Sequence, residues 1–212
     1  MNVVIVGGGQ KFGRAIAEEF RKNNNQIFIL SHRDYEADEN HVFADFHNIY
    51  DVAYKLNFLT RNINHIDILL YASNHDYGPH FTEYNRNSLI GNIQDYWQKS
   101  FHIAVTVPHI LAVTALTKMT ETSRIVFITS LMSLDLDRTN YKTAASYAGC
   151  KAAQNHLMIT LSALNDSKAI VYSIATHLPE DNEEVYNNIK LQVYNQLLKI
   201  DRQDSGKIIK TI

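Results

Sequence analysis

Asn2-Val3-Val4-Ile5-Val6-Gly7-Gly8-Gly9-Gln10-Lys11-Phe12-Gly13 is an apolar run that ends abruptly in a glycine turn. The β-branched stretch Val3 to Val6 reads as a buried strand, and Gly7 to Gly13 turn that strand into a helix. The amides at such a helix start, with the positive end of its dipole, can receive a pyrophosphate, and side chains on these glycines would block the approach. The same turn also suits bare strand-to-helix packing. Its place directly after the first strand favours a dinucleotide.

Working outward, short apolar runs alternate with longer helical patterns. Strands are expected near Asn2 to Val6, Gln26 to Leu30, Val42 to Ala44, Ile66 to Tyr71, Arg124 to Ile128 and Ala169 to Ala175, with a last one at Lys207 to Thr211. Helical periodicity runs through Arg14 to Lys22, Ile49 to Ile63, Ser88 to Leu116, Thr143 to Leu164 and Asn182 to Lys199. Such alternation predicts an α/β fold, a Rossmann-type doubly wound parallel sheet of about seven strands with helices on both faces. The link Asp34 to Asn40 is too short for a full crossover helix, so a turn or a single helical coil is expected there.

The 212 residues, 45% hydrophobic, suffice for one domain over 1–212. The net charge of -2 and the scattered lysines and arginines provide no cationic stripe, which argues against nucleic acid as a partner. The start lacks a basic n-region and its apolar run is too short for a signal peptide or a membrane span, so a cytoplasmic protein with no membrane partner is expected. Ten histidines show no metal-binding spacing, and the single Cys150, inside a predicted helix, reads as a packed thiol. No metal is expected.

Two further stretches bear on chemistry. Ser31-His32-Arg33 ends the second strand, where a nicotinamide dinucleotide presents its adenosine ribose. An aspartate there would bind a free 2′-hydroxyl; a hydroxyl, an imidazole and a guanidinium, with Lys11 nearby, suit a 2′-phosphate, so NADP is favoured with NAD possible. Farther along, Ser146-Tyr147-Ala148-Gly149-Cys150-Lys151 places a tyrosine and a lysine four residues apart on one helix face, after a strand that ends in Thr129 and Ser130. An ammonium beside a phenol favours its ionised form, an arrangement suited to proton transfer at a carbonyl oxygen.

Together these strings resemble the short-chain dehydrogenase/reductase family over nearly the whole chain. Val6 to Gly13 is similar to the family's Thr-Gly-x-x-x-Gly-x-Gly loop, with Val6 for the threonine and Lys11 for the middle glycine. Asp45 in Ala44-Asp45-Phe46 resembles the aspartate that holds the adenine amino group. Asp67 to Asn74 is similar to Asp-x-Leu-x-Asn-Asn-Ala-Gly, with Tyr71, Ala72, Ser73 and Asn74 at the last four places. The resemblance implies catalysis by Ser130, Tyr147 and Lys151, with Ser133 as a second serine candidate, and a short substrate lid around 177–200. Cofactor contacts are implied at Gly7, Gly9, Gln10, Lys11, Phe12, Gly13, Ser31, His32, Arg33, Asp45, Phe46, Ala72, Ser73, Tyr147, Lys151 and His177.

Three departures stand out. Ala104 occupies the place of an asparagine that the resemblance implies holds a relay water, Lys11 narrows the first loop, and Ala175-Thr176-His177 replaces an Ala-Pro-Gly turn. The expected function is an NAD(P)-dependent oxidoreductase that moves a hydride between a nicotinamide and a small-molecule carbonyl or alcohol, with Tyr147 as general acid/base. The departures keep two alternatives open: a catalytically weak nucleotide sensor or scaffold that retains the fold, and a Rossmann-type domain without a nucleotide. The helix through Trp97, Phe101, Ile103, Val105 and Val107 is apolar on more than one face, which points to a partner subunit; the resemblance implies that this helix and the one starting at Thr143 form a homodimer or homotetramer.

Overall fold

The computed structural model describes residues 1–9, 11–32, 40–73, 89–134, 145–164, 168–176 and 183–211. Strands β1 (Asn2–Val6), β2 (Gln26–Ser31), β3 (His41–Phe43), β4 (Ile68–Tyr71), β5 (Arg124–Ser130), β6 (Ile170–Thr176) and β7 (Ile208–Lys210) form one sheet in the order β3-β2-β1-β4-β5-β6-β7. Every pairing is parallel. The chain steps outward from β1 to β3 and then returns to β4 beside β1, so the strand order reverses at the β1–β4 boundary. That reversal opens a crevice at the carboxyl ends of these strands.

Both faces are covered. The helices are α1 (Lys11–Lys22), α2 (Ile49–Leu59), α3 (Leu89–Phe101), α4 (Val107–Leu116), α5 (Ala145–Leu164) and α6 (Glu183–Lys199). Because strand side chains alternate, Val4 and Val6 of β1 enter one core with Leu56, Leu111 and Met158, while Val3 and Ile5 enter the other with Ile16, Phe20 and Val193. This is the doubly wound α/β architecture expected from the alternation of elements.

Several boundaries differ from the periodicity. Helix α2 stops at Leu59, where the Thr60 hydroxyl donates to the Leu56 carbonyl, rather than reaching Ile63. The link at 34–40 lies outside the described residues except for its last position. Of the stretch assigned to a lid, 177–182 also lies outside them, and the remainder is α6, whose Ile189, Val193, Tyr194 and Leu197 are buried in the second core.

The helix expected over 88–116 is interrupted by a π-helical turn at His102–Thr106. Pro108 explains the interruption: it has no N–H to give and its ring crowds the carbonyl four residues back, so the Val107 amide reaches His102 instead. In the wider register the Ile103 carbonyl stands five residues before Pro108, which has no N–H to give it. The buried Tyr71 hydroxyl of β4 donates to it, and burial holds that phenol far above its usual pKa, as a neutral donor. The stretch Ile93–Leu116 is long and apolar enough to cross a membrane by length and composition, but Ile103, Val107, Leu111, Ala112 and Ala115 account for that apolarity by packing in the core.

Candidate active site

The carboxyl ends of the strands carry the site in two halves. At the first, Gly7 follows β1 with φ at 86°, and a Cβ there would lie 2.8 Å from the Ser73 nitrogen beyond β4. A Cβ on Gly13 would lie 2.5 Å from the Gly7 carbonyl oxygen, so the first turn of α1 sits directly on the glycine turn. These two contacts bring the start of α1 against both β1 and β4, as an anion-receiving helix terminus requires. Gly9 stands at ordinary contact distance, 3.4 Å, from Ser31.

Beside the turn, His32, Phe43, Asp45, Phe46, His47, Ser73 and Ile103 line a cavity of about 210 Å³. Phe46 is buried and its ring stands 5.4 Å from the imidazole of His32. Asp45 is exposed; its carboxylate accepts from the His47 amide at 2.9 Å. His102 reaches the Phe46 carbonyl at 2.7 Å and stacks nearly parallel on His47. The lining therefore combines aromatic faces, a carboxylate at the rim and imidazoles, a chemistry that fits a purine nucleoside. Ser31 and His41 pair at 2.6 Å across the ends of β2 and β3.

The second half lies at the end of β5 and the start of α5. Ser130 is 4% exposed, and its Oγ accepts from the Met132 amide at 3.2 Å, capping the short turn Leu131–Ser133. Ser133 is engaged elsewhere: its hydroxyl donates to the Ser130 carbonyl and accepts from Asn155. Tyr147, half-buried, stands on the first turn of α5 with the Lys151 Nζ 5.9 Å from its ring centroid. Lys151 is 2% exposed and donates to the Ile128 carbonyl and to Gln154 Oε1, each at 3.0 Å. Burial pushes its pKa down to about 7. The lysine thereby ties the helix bearing Tyr147 to the strand that ends in Ser130.

Gly149 explains how this helix face stays close to its neighbour. A Cβ there would lie 2.6 Å from Trp97 Cη2, so the indole of α3 packs directly against the Tyr147–Lys151 turn. Cys150 is buried and its thiol is pushed up to about 11, chiefly by desolvation, which leaves it neutral and unreactive near pH 7.

Gly7, Gly9, Phe12, Gly13, Ser31, His32, Asp45, Phe46, Ala72 and Ser73 all fall at or next to the carboxyl ends of β1 to β4. Lys11 is the first residue of α1. Gln10, Arg33, Asn74 and His177 lie outside the described residues. Sequence reasoning missed the contributions of Ile103 and His47 to the cavity and the contacts of His102 with Phe46 and His47 beside it; Ile103 and His102 come in on a π-helical turn that no local spacing announces. It also missed Gln154 and Asn155, whose helical spacing from Lys151 was the available signal.

The short chain dehydrogenase family model matches residues 1–178. No curated relative matches the chain by sequence. Among solved structures, a short chain dehydrogenase from Leptospira borgpetersenii with bound NAD+ is 13% identical at a TM-score of 0.78, with 99% of this chain and 90% of that chain covered. A glucose/ribitol dehydrogenase of the short-chain family from Brucella melitensis is 19% identical at 0.79, with 99% and 94% covered. An aldohexose dehydrogenase from Thermoplasma acidophilum is 16% identical at 0.73, with 99% and 91% covered. At these identities the structures share the fold. The match of the family model over most of the chain carries the assignment: the protein belongs to the short-chain dehydrogenase family.

Proposed function

We propose that the chain is an NADP-preferring oxidoreductase of this family that interconverts a carbonyl and an alcohol on a small molecule, with Tyr147 as general acid/base. The observation that carries the reading is the buried Lys151 amine beside the Tyr147 ring, 5.9 Å from its centroid, in a chain whose first strand ends in a glycine turn. The glycine contacts at Gly7 and Gly13 and the aromatic cavity fit the phosphates and the adenosine of the cofactor. When bound, that cofactor supplies or receives the hydride.

The residues of the chain handle the proton. Tyr147 gives a proton to the developing alkoxide or takes one from the alcohol, and the nearby cation favours the phenolate at the intermediate stage. A phenolate on Tyr147 in turn favours the protonated Lys151, so the two charges support one another. Ser130, whose lone pair is taken by the Met132 amide, keeps its O–H to donate to the reacting oxygen. Preference for NADP is supported by the absence of an aspartate in Ser31-His32-Arg33 and by the position of His32 in the cavity wall.

The second reading, a nucleotide sensor with weak chemistry, is favoured by Ala104, which has no hydrogen-bonding side chain in the π-helical turn packed against α5. A panel of aldehydes, ketones and alcohols assayed with NADPH and NADP separates the two. The oxidoreductase turns over at least one class; silence across the panel despite tight nucleotide binding would leave the sensor. The exposed Trp97 and Phe101 of α3 and Ile159 of α5 support a homo-oligomer. Sedimentation is expected to give a species larger than 24.3 kDa.

A further inference from the structure

Lys151 is a buried amine, 2% exposed. Among the described residues no carboxylate pairs with it, and the adjacent Cys150 is a neutral thiol at any pH where the lysine titrates. Its described hydrogen-bond acceptors are neutral: the Ile128 carbonyl, fixed in the sheet, and Gln154 Oε1, on a side chain that can turn. Gln154 is 0% exposed, three residues beyond the lysine on the same helix face. Its Nε2 has no hydrogen-bond partner among the described residues. A fully buried amide with an unsatisfied donor is unfavourable, and a leucine or methionine would fill the same space without that penalty. The amide therefore needs a reason to be there, and its contact with Lys151 is the reason on view.

We propose that Gln154 is a positioning residue that sets the charge and the placement of the Lys151 amine: its amide oxygen accepts from the ammonium, and by turning, its amide nitrogen donates to the lone pair of the neutral amine. An amide is an uncharged side chain that carries both an acceptor and donors, so it can partner a lysine in both states. A methionine would leave the cation only the Ile128 carbonyl among its described acceptors, and a carboxylate would favour the charged lysine. With Lys151 poised near neutrality, such a two-state partner lets the lysine change charge without losing its aim at Tyr147. The inference rests on the oxidoreductase reading only for its catalytic meaning; the contact itself is independent of substrate.

Lysine-selective 13C/15N NMR of the full chain, with and without NADP, tests this, with Lys151→Met to assign the Nζ resonance. Gln154→Met is expected to lower the Lys151 midpoint by about one pH unit, the loss of one charge-assisted hydrogen bond. Gln154→Glu is expected to raise it by about one to three units, as a carboxylate beside an ammonium does. Opposite shifts from two variants of similar volume are a signature that loosened packing does not produce. Midpoints within about 0.3 units of wild type in both variants, or shifts of one sign, would overturn the assignment. This readout needs no substrate, so a silent substrate panel sinks the oxidoreductase reading and leaves the lysine titration to decide this one. Where turnover is found, Gln154→Met lowers kcat about tenfold with KM for NADP within about twofold and moves the acid limb of alcohol oxidation upward. An unchanged pH profile would count against the proposal.

Discussion

The two halves of the site are built on opposite principles. The half proposed to take the adenosine is made of backbone and open surface: a glycine turn whose Gly7 is pressed against the chain just beyond β4, an exposed Asp45, and aromatic and imidazole faces around a cavity. The half proposed to transfer the proton is made of buried side chains, with Ser130 at the end of β5 and Lys151 and Gln154 on the inner face of α5 all withdrawn from solvent. Recognition of a large polar cofactor needs room and backbone donors. Control of a proton needs a low-dielectric setting in which one charge is worth several times what it is in water. The contrast implies that the halves fail separately.

The largest separation is expected at Tyr147→Phe. Loss of the general acid/base lowers turnover by about 10²- to 10⁴-fold, while NADPH affinity, measured by quenching of the single Trp97, stays close to wild type. A variant with normal turnover would remove the proton-transfer half of the account.

Lys151→Met sharpens the comparison through pH. Burial depresses the folded-state pKa of Lys151 from 10.5 to about 7, so the unfolded chain binds the extra proton between those values. The stability associated with a neutral buried amine is therefore complete above the ordinary lysine value and is lost as pH falls through about 7. Denaturant melts should show wild-type stability gaining on Lys151→Met as pH rises across that window. At about 1.4 kcal/mol per unit of displacement the gain is a few kcal/mol at most. Parallel pH profiles in the two proteins would mean that Lys151 is not buried as a cation.

Gly7→Ala attacks the other half. The added methyl meets the Ser73 backbone at 2.8 Å on a residue with φ at 86°, and strain of this kind costs about 1–3 kcal/mol. Chemical denaturation and NADPH affinity should both register it, with the lysine titration unmoved. A smaller effect, about 1–2 kcal/mol, is expected from Tyr71→Phe, which leaves the buried Ile103 carbonyl without its donor. An unchanged denaturation midpoint there would show that another group satisfies that carbonyl.

Much of the fold was legible because parallel strands buried on both faces read as continuous apolar runs, as in Val3 to Val6 and Arg124 to Ile128. Gly7 and Gly13 announced the turn, since few other reasons place glycines at a strand end and on a first helical turn. What escaped was set by tertiary contact. Pro108 lies inside the run expected as one helix over 88–116; that its strain opens a π-helical turn there, and that Tyr71 of a distant strand completes it, depends on β4 lying beneath. The Tyr147–Lys151 pairing was visible as a four-residue spacing, whereas the partnership of Gln154 with that lysine became visible only once both were known to be buried.

The most direct measurement is thermal unfolding of wild type, Tyr147→Phe and Gly7→Ala with NADPH, NADH or buffer. At about a hundred times its dissociation constant, a nucleotide that binds the native state adds about 2.7 kcal/mol. The account predicts that gain for wild type and Tyr147→Phe, larger with NADPH than with NADH at equal concentration, and a reduced gain for Gly7→Ala. No gain in wild type with either nucleotide, or the same gain in all three proteins, would contradict it.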